Sequence, residues 1–332
     1  MAQRIGDFLS GYLNTLSKGL SAKPSMEDVE RLRLELNRLQ MGEADLSASI
    51  MGLDLCEGRL TLTSGTPVTT ADVTGATSVY FAPYKGNRIA LNDGSSVWTI
   101  LTFTELTLAL GTLTSGLPYD VFAYNNSGVV ALESLAWTSG TARATALTTQ
   151  NGVLVKSGAT TRRYLGTFYT TATTTTEDSA SRRLLFNYYN RVRRPLSCVD
   201  TTDTWNYTTT TWRAANANTT DGVGRVACVV GWAEDAASFT NYCLVRSNAV
   251  GMRFAAGVGI DSTTVNSAVL IGGESNVIDR VVSISAFYED VMAVGYHFIQ
   301  RLEISQAANT TTWIGDLALS YLSSGMVGSV WA

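Results

Sequence analysis

The chain offers few residue combinations that could carry out catalysis. Its single histidine, His297, lies between Tyr296 and Phe298 in a predicted strand, and no G-x-S-x-G motif supplies a nucleophile. A Ser-His-Asp triad would therefore depend on this one imidazole. A lone histidine flanked by aromatic residues is more typical of a hydrogen-bonded core or interface position. The sequence thus predicts a structural role for His297.

Glycoside hydrolysis is the other chemistry to consider, because it needs only two carboxyl groups about 5 to 10 Å apart. Neighbouring residues of a strand point to opposite faces, so an adjacent acidic pair forms no such site by itself. The chain also lacks the repeats that build a solenoid platform. We therefore predict that the protein is not an enzyme, with capsule polysaccharide depolymerase as the less favoured alternative. The adjacent acidic pairs are Glu177/Asp178, Glu234/Asp235 and Glu289/Asp290.

The sequence indicates no cofactor and no metal site. It contains no Walker motif, no dinucleotide-binding motif and no EF-hand loop. The cysteines have no C-x-x-C spacing and are scattered along the chain, which favours reduced core residues over a disulfide or a zinc site. These cysteines are Cys56, Cys198, Cys228 and Cys243.

Aromatic residues in a threonine-rich segment could bind a sugar without cleaving it. Residues 203–213 read DTWNYTTTTWR and contain Trp205, Tyr207 and Trp212. If the segment is a strand, one face could present these rings as a stacking platform for a glycan. Packing of the same rings into a core is the favoured interpretation, and the glycan contact is the alternative.

Composition limits the classes of partner. The 332 residues suffice for two domains and a stalk, and 45% of them are hydrophobic. A net charge of -4 and a pI near 5.2 argue against nucleic acid or an anionic membrane, because both need a basic surface. No apolar run approaches the roughly 18 residues of a membrane-spanning helix, and no export signal opens the chain. We therefore expect synthesis in the cytoplasm and no membrane insertion.

The first element that would position these residues is an amphipathic helix over residues 3–20. Its apolar residues recur at steps of three and four, and polar residues occupy the other face. Such a stripe needs a partner surface, and it lies outside the later β segments of the sequence. We expect residues 1–22 to dock on another protein, and packing against the rest of the same chain is the alternative. The docking residues are Ile5, Phe8, Leu9, Tyr12, Leu13 and Leu16.

A short coiled-coil stem is predicted next, after Lys23 and Pro24 end the first helix. Burial of its six apolar seam residues does not offset the entropy of ordering the stem, so the β segments must help to hold the copies together. The alternative is one amphipathic helix on a monomeric domain, and the seam alone does not separate dimer from trimer. The seam residues are Val29, Leu32, Leu36, Leu39, Leu46 and Ile50.

After Gly58 the hydrophobic period changes to two, and turn signals recur about every ten residues. This pattern predicts two antiparallel β-sandwich or jelly-roll-like modules, residues 57–195 and 196–332, behind the helical segment 1–56. Residues 182–194 (RRLLFNYYNRVRR) lie close to Glu177 and Asp178. We interpret them as a structural junction in which rings pack under guanidinium groups.

Several segments resemble bacteriophage fibre proteins, over roughly residues 140–332. They are residues 161–168 (TRRYLGTF), 176–179 (TEDS), 187–192 (NYYNRV), 295–297 (GYH) and 325–332 (GMVGSVWA). The resemblance is one of pattern and includes no catalytic motif. It implies a protein attached to the capsid or tail of a virion, usually through its N-terminus.

Together these features predict a homotrimeric, mainly β structural protein of a phage virion, made in the bacterial cytoplasm. Residues 1–22 would dock on a capsid, collar or tail component, and the β modules would attach to a host-surface glycan or protein as a tail fibre does. Three weak sites on one rigid body would give adhesion through effective concentration. A capsid head fibre or decoration protein is the nearest alternative.

Overall fold

A computed structural model of the protein describes residues 54–95 and 97–332. The regular structure of these residues is β-strand, apart from one 3₁₀ turn at Ala215–Ala217. This confirms the prediction of a mainly β protein. The predicted docking helix over residues 1–22 and the predicted stem seam from Val29 to Ile50 lie outside the described residues and stay predictions.

The strands fall into an earlier and a later group along the chain. The earlier group is β1 (Gly58–Thr61), β2 (Val73–Ala76), β3 (Ser78–Pro83), β4 (Arg88–Asn92), β5 (Trp98–Thr102), β6 (Leu106–Ala109), β7 (Pro118–Asn126), β8 (Val129–Ala136), β9 (Leu147–Gln150), β10 (Val153–Lys156), β11 (Ala159–Ala172), β12 (Thr175–Asp178), β13 (Arg182–Arg183) and β14 (Leu185–Asn187). The later group is β15 (Arg193–Asp200), β16 (Thr204–Asn206), β17 (Arg213–Ala214), β18 (Arg225–Val230), β19 (Ala236–Ser247), β20 (Arg253–Ile260), β21 (Val269–Glu274), β22 (Val282–Val291), β23 (Gly295–Ser305), β24 (Thr311–Ile314) and β25 (Ser324–Trp331).

The earlier strands form small antiparallel sheets around the long strand β11. The main sheet has the order β9–β10–β11–β7–β8, and β14 pairs with the second half of β11. A second sheet has the order β1–β3–β6. Their facing sides share one core, which contains Phe81, Val121 and Phe168.

The later strands form a sandwich of two antiparallel sheets. The β23 sheet contains β20–β23–β18, and the β19 sheet contains β22–β19–β25–β15 with β24 and β16 beside it. Strand β21 pairs with β20 through one half and with β22 through the other, so it passes from one sheet to the other. An antiparallel sandwich is therefore present in the later residues, as the short alternating strands predict.

The alternation of side chains explains why the two later sheets pack together. In β19, Phe239, Cys243 and Val245 are buried, while Thr240 and Tyr242 between them point to the other face. The buried residues of β19 share a core with residues of β20 and β23, such as Val258 and Ile299. Removal of this apolar surface from water is the main force that closes the sandwich.

Strands on the two sides of residue 195 are joined by hydrogen bonds. Strand β13 runs parallel to β18, with Arg183 opposite Cys228. Asp178 accepts hydrogen bonds at 2.9 Å from Arg183 and from Arg194. Residues Asp54–Ala332 form one compact unit, and the division into modules at residue 195 stays a prediction.

The segment 182–194 packs as the sequence interpretation proposes. The Arg191 guanidinium lies 5.7 Å from the Phe186 ring centroid and 5.8 Å from that of Tyr188. Arg191 also forms ion pairs with Glu234 and Asp235. Rings and guanidinium groups thus join the segment before β15 to the turn between β18 and β19.

The four cysteines are buried thiols, and burial determines their chemistry. Desolvation raises the pKa of Cys56 and of Cys198 to about 11 and the pKa of Cys228 to about 12, and it also raises the pKa of Cys243. The nucleophilic thiolate is therefore scarce at neutral pH, and the sulfur atoms are shielded from solvent.

We predict that a thiol-reactive disulfide reagent labels none of these cysteines in the native protein at pH 8 and labels all four after unfolding. Because Ser323 is exposed, the Ser323→Cys variant is the matched control and should add one fast-reacting thiol. Rapid labelling of the native wild-type protein would show that the core opens, in conflict with the buried positions. Absorbance of the released thiol measures both outcomes.

Candidate contact site at the loop end of the sandwich

The described chain enters the body beside a buried arginine. Arg163 of β11 is fully buried, and its guanidinium donates hydrogen bonds to the carbonyl oxygens of Asp54 at 2.7 Å and Leu55 at 3.0 Å. It also donates to the Ala90 carbonyl at 2.7 Å, and it lies 4.5 Å from the Tyr189 ring centroid. Arg163 therefore fixes the first described residues to the longest strand.

A second buried arginine joins three distant chain segments in the same region. Arg59 donates hydrogen bonds to the carbonyl oxygens of Pro67, Asn190 and Ala332, at 3.0, 2.6 and 2.6 Å. Desolvation lowers the pKa of Arg59 to about 10, and the nearby positive charge of Arg194 acts in the same direction. The residues around Asp54, Arg59 and Ala332 are called the entry end below.

The opposite end of β19 is formed by loops. The turns 248–252 and 275–281 are joined by hydrogen bonds between the backbones of Gly251 and Ser275 and of Met252 and Ser275. The Asn248 amide binds the carbonyl oxygen of Thr310 in a third loop. Because β19 has 12 residues, this loop end lies roughly 36 Å from the entry end along the strand.

The loop end presents aliphatic side chains to solvent. Val250, Val277 and Ile278 are exposed by 63%, 48% and 58%. Three such residues on adjacent turns are unusual for the tips of polar loops, and exposed apolar groups of this kind commonly mark a contact surface. Asp279 has a left-handed backbone (φ 55°) and donates its amide to the Ser247 carbonyl, which fixes the second turn.

A shallow depression of about 380 Å³ lies beside these loops. Its polar wall includes Thr210 from the threonine-rich segment, Arg253 and Gln306. The segment is held there by hydrogen bonds from the Tyr207 amide to Thr311 and from the Ser305 amide to Thr209. Threonine hydroxyls, an arginine and an amide are groups that can bind the hydroxyls of a sugar or a polar peptide.

The structure places Trp205, Tyr207 and Trp212 at the base of this segment, and all three are half-buried. Trp205 and Tyr207 pack against the sandwich core. The Trp212 ring covers the backbone of Gly257, where a Cβ would come within 2.8 Å of it. The rings thus support the threonine-rich loop from below, and their contact with a glycan stays a prediction.

A buried carboxylate organises these aromatic residues. Glu303 accepts hydrogen bonds at 2.8 Å from the Trp205 indole and at 2.8 Å from Arg213 Nε. The Arg213 guanidinium lies 3.8 Å from the Tyr207 ring centroid. Burial raises the pKa of Glu303, and the hydrogen bonds from Trp205 and Arg213 oppose that rise. Glu303 therefore fixes the loop from within the core.

His297 lies in a hydrogen-bonded pair with Asp261 near the start of β23. Its Nδ1 is 2.7 Å from Asp261 Oδ2, and its Nε2 is 2.8 Å from the Ala293 carbonyl oxygen. Burial on its own would lower the pKa of His297, but the hydrogen bonds to Asp261 and Ala293 outweigh it and the net pKa lies above 6.5. Asp261 also accepts the Phe298 amide at 3.0 Å, so this histidine joins a loop to β23.

Arginines engage four residues of the three predicted acidic pairs. Glu177 pairs with Arg182 at 3.1 Å, and Asp178 binds Arg183 and Arg194. The pair at 234–235 binds Arg191. Glu289 and Asp290 lie on β22, opposite Ser238 and Ala237. The register thus places the third pair near the start of β19, which follows Glu234 and Asp235, and the carboxylates of the first two pairs are engaged by arginines.

Sequence reasoning missed the carboxyl groups with the most unusual surroundings. Burial raises the pKa of Asp120, opposed by the charge of Arg143, whose Nε lies 2.7 Å from the carboxylate. Asp120 and Glu303 are buried within strands, next to arginines that are distant in sequence. No local spacing signals such pairs, because the sheet register brings the partners together.

Across residues 54–95 and 97–332, no group of three His, Cys, Asp or Glu side chains is placed to hold a metal ion. In the same residues no helix is long and apolar enough to cross a membrane.

Comparison with known proteins finds no matching family and no matching curated protein. Among solved structures, BuGH86 in complex with neoagarooctaose is 8% identical; the match covers 79% of this chain and 33% of that one, with a TM-score of 0.25. An insecticidal delta-endotoxin, Cry8Ea1 from Bacillus thuringiensis, is 6% identical over 83% of this chain and 52% of its own, with a TM-score of 0.25. A structure of infectious bursal disease virus, Gt strain, is 11% identical over 82% and 66%, with a TM-score of 0.27. The chain spans about a third of the first of these proteins, and TM-scores this low assign neither fold nor function.

We predict that Arg163→Met lowers the free energy of unfolding by about 3 kcal/mol or more, because three backbone carbonyls lose a buried donor. The matched control is Arg253→Met, since the Arg253 side chain is 79% exposed and its loss should leave stability almost unchanged. Equal effects of the two substitutions would show that the entry end does not depend on Arg163. Denaturant unfolding of both variants measures the difference.

We also predict a pH-dependent contribution from His297. Because the folded pKa lies above 6.5, the stabilisation is fully present below pH 6.5 and is lost as pH rises through the folded pKa. Wild type should therefore exceed His297→Gln in free energy of unfolding by more at pH 6 than at pH 9. Asp261→Asn, which suits the left-handed backbone at that position (φ 52°), should remove the gain at low pH, because the charge that raises the pKa of His297 is lost and burial, which lowers it, remains. A constant difference between wild type and His297→Gln would contradict the assignment.

Proposed function

We propose that the protein is a structural component of a bacteriophage virion, a homotrimeric fibre that attaches to the host surface. Residues 1–22 dock on a capsid, collar or tail protein, residues from 25 up to the entry end at Asp54 form a short trimeric coiled coil, and the β body carries the contact surface. The fibre is located on the virion after synthesis in the bacterial cytoplasm.

The observation that carries this proposal is the separation of two ends within the β body. The entry end is fixed by Arg59 and Arg163, so a pull on the N-terminal segment is transmitted directly to buried strands. The loop end lies roughly 36 Å away along β19. A protein that bridges a particle and a cell needs such an arrangement, with attachment at one end and contact at the other.

The chemistry of the loop end suits weak contacts with a mixed polar and apolar surface. Val277 and Ile278 supply apolar area, while Thr210, Arg253 and Gln306 supply hydrogen-bonding groups beside them. A shallow depression of this kind buries little of a ligand, so each single site is expected to be weak. Three copies on one rigid body raise the effective concentration of the second and third contacts.

The first experiment tests both ends of the molecule in the phage. Deletion of residues 1–22 should give particles that lack the protein, because the docking stripe is removed while the β body remains complete. Purified full-length protein should compete with phage for adsorption to host cells. Incorporation of the truncated protein would disprove the docking role, and failure to compete would favour passive decoration of the particle.

The competition assay can be directed to the loop end by substitution. We predict that Val277→Ser with Ile278→Ser reduces competition for adsorption at least tenfold, because the exposed apolar area is lost from three sites at once. The control Val129→Ser changes an exposed valine at the start of β8, next to the turn from β7, and should compete as wild type does. Equal competition by both proteins would exclude the loop end as the contact surface.

A further inference from the structure

The β19 sheet has an outer face that its own chain leaves open, and we propose that this face is the contact surface between copies of the protein. The proposal rests on the homotrimer proposed above and adds the surface that joins the β bodies. Its occupant is a second copy of this chain, arranged around an axis parallel to the strands of β19.

Apolar side chains recur across this outer face in register. Val269, Phe287 and Val327 lie in one row, with Thr240 of β19 between the last two. A neighbouring row contains Tyr242 and Val199, joined through Gly325. Two rows from the first row, on its other side, Val291 is the direct partner of Ala236. Trp331 lies on the opposite side of Ala236, in β25.

These seven side chains keep 44% to 75% of their surface exposed. The inner face of the same strands already forms the sandwich core, so the outer residues are not needed to close the fold. Single exposed apolar residues are ordinary, but seven on one sheet face form a patch of the size that marks a protein contact. We call this set the β19 outer face: Val199, Tyr242, Val269, Phe287, Val291, Val327 and Trp331.

The area of the face fits a second copy that is also held elsewhere. Five strands at their usual spacing, over six residues of strand length, give about 24 by 20 Å, or roughly 500 Å². A stable interface buries about 800 Å² on each partner. The sheet face thus supplies over half of the required surface, and residues 1–53 of each chain are available to supply the rest.

Charge complementarity selects a copy of the same chain as the occupant. Glu289 lies on β22 in a row beyond the residues that pair with β21, where β22 forms one edge of the face, and Arg193 lies on β15 at the other edge, one row away. Both side chains are exposed, and Arg193 is positioned by a 2.7 Å hydrogen bond to Ser329. Neither forms an ion pair inside the described part of its own chain.

A face with a negative charge at one edge and a positive charge at the other can pair edge to edge with further copies in a closed ring. When copies surround an axis parallel to the strands, the Glu289 edge of one copy meets the Arg193 edge of the next. The apolar rows then face the axis and exclude water. All copies direct their Asp54 residues toward the same end, which is the end that a parallel stem requires.

The test is the oligomeric state of the full-length protein by light scattering. Wild type should have about three times the chain mass of 35.6 kDa. Phe287→Glu and Val327→Glu should each raise the protein concentration at which half of the trimer has dissociated by at least 100-fold, because three charges are buried together at the axis. Val129→Glu introduces the same charge at an exposed valine outside the face and should leave the trimer unchanged. Circular dichroism spectra of all variants should match wild type, because the substituted side chains are exposed.

Charge reversal gives an independent measurement. Glu289→Arg and Arg193→Glu should each weaken the trimer, and the double variant should restore it, because the edge pair forms again with its signs exchanged. A wild-type trimer that none of these substitutions weakens would overturn the inference and leave the proposed fibre intact. A monomeric wild-type protein would overturn both. Weakening by both single reversals without recovery in the double variant would also count against the ring.

Discussion

The structure depends on buried guanidinium groups whose donors must all be satisfied. Arg59, Arg163, Arg183, Arg194 and Arg301 are buried in the β body. A guanidinium carries five N–H donors and stays charged, so an unpaired one inside a protein is very unfavourable. Each of these arginines therefore has to gather oxygen atoms, and most of those atoms come from distant parts of the chain.

The partners of these arginines determine how the body is joined. Arg59 and Arg163 collect mainly backbone carbonyls at the entry end. Arg183 and Arg194 share the Asp178 carboxylate between the earlier and later strands. In the sandwich, Arg301 contacts Asn241 at 3.1 Å and Asp200 at 3.6 Å. Removal of any one of these arginines would leave polar groups unpaired in the core. The entry end, the junction around Asp178 and the sandwich therefore each depend on a buried arginine.

The fold class was predictable from the sequence, whereas the long-range contacts were not. The alternation in segments such as residues 236–247 signals strands directly, and the rings and arginines of residues 182–194 predict a junction. The parallel pairing of β13 with β18 and the passage of β21 between two sheets leave no local signature. For the candidate contact site, the threonine-rich segment was evident, but its support by Glu303 depends on a partner 98 residues from Trp205. The aliphatic loop tips became visible only when three turns were brought to one end.

The contact between Arg59 and Ala332 joins residues 273 positions apart. A ribosome that adds about 5 to 20 residues per second needs roughly 15 to 55 seconds to deliver the second partner after the first. During that interval the Arg59 charge stays hydrated, and the entry end cannot reach its final packing. Completion of the entry end is thus postponed until translation has delivered Ala332, although most of the residues that surround Arg59 are made much earlier.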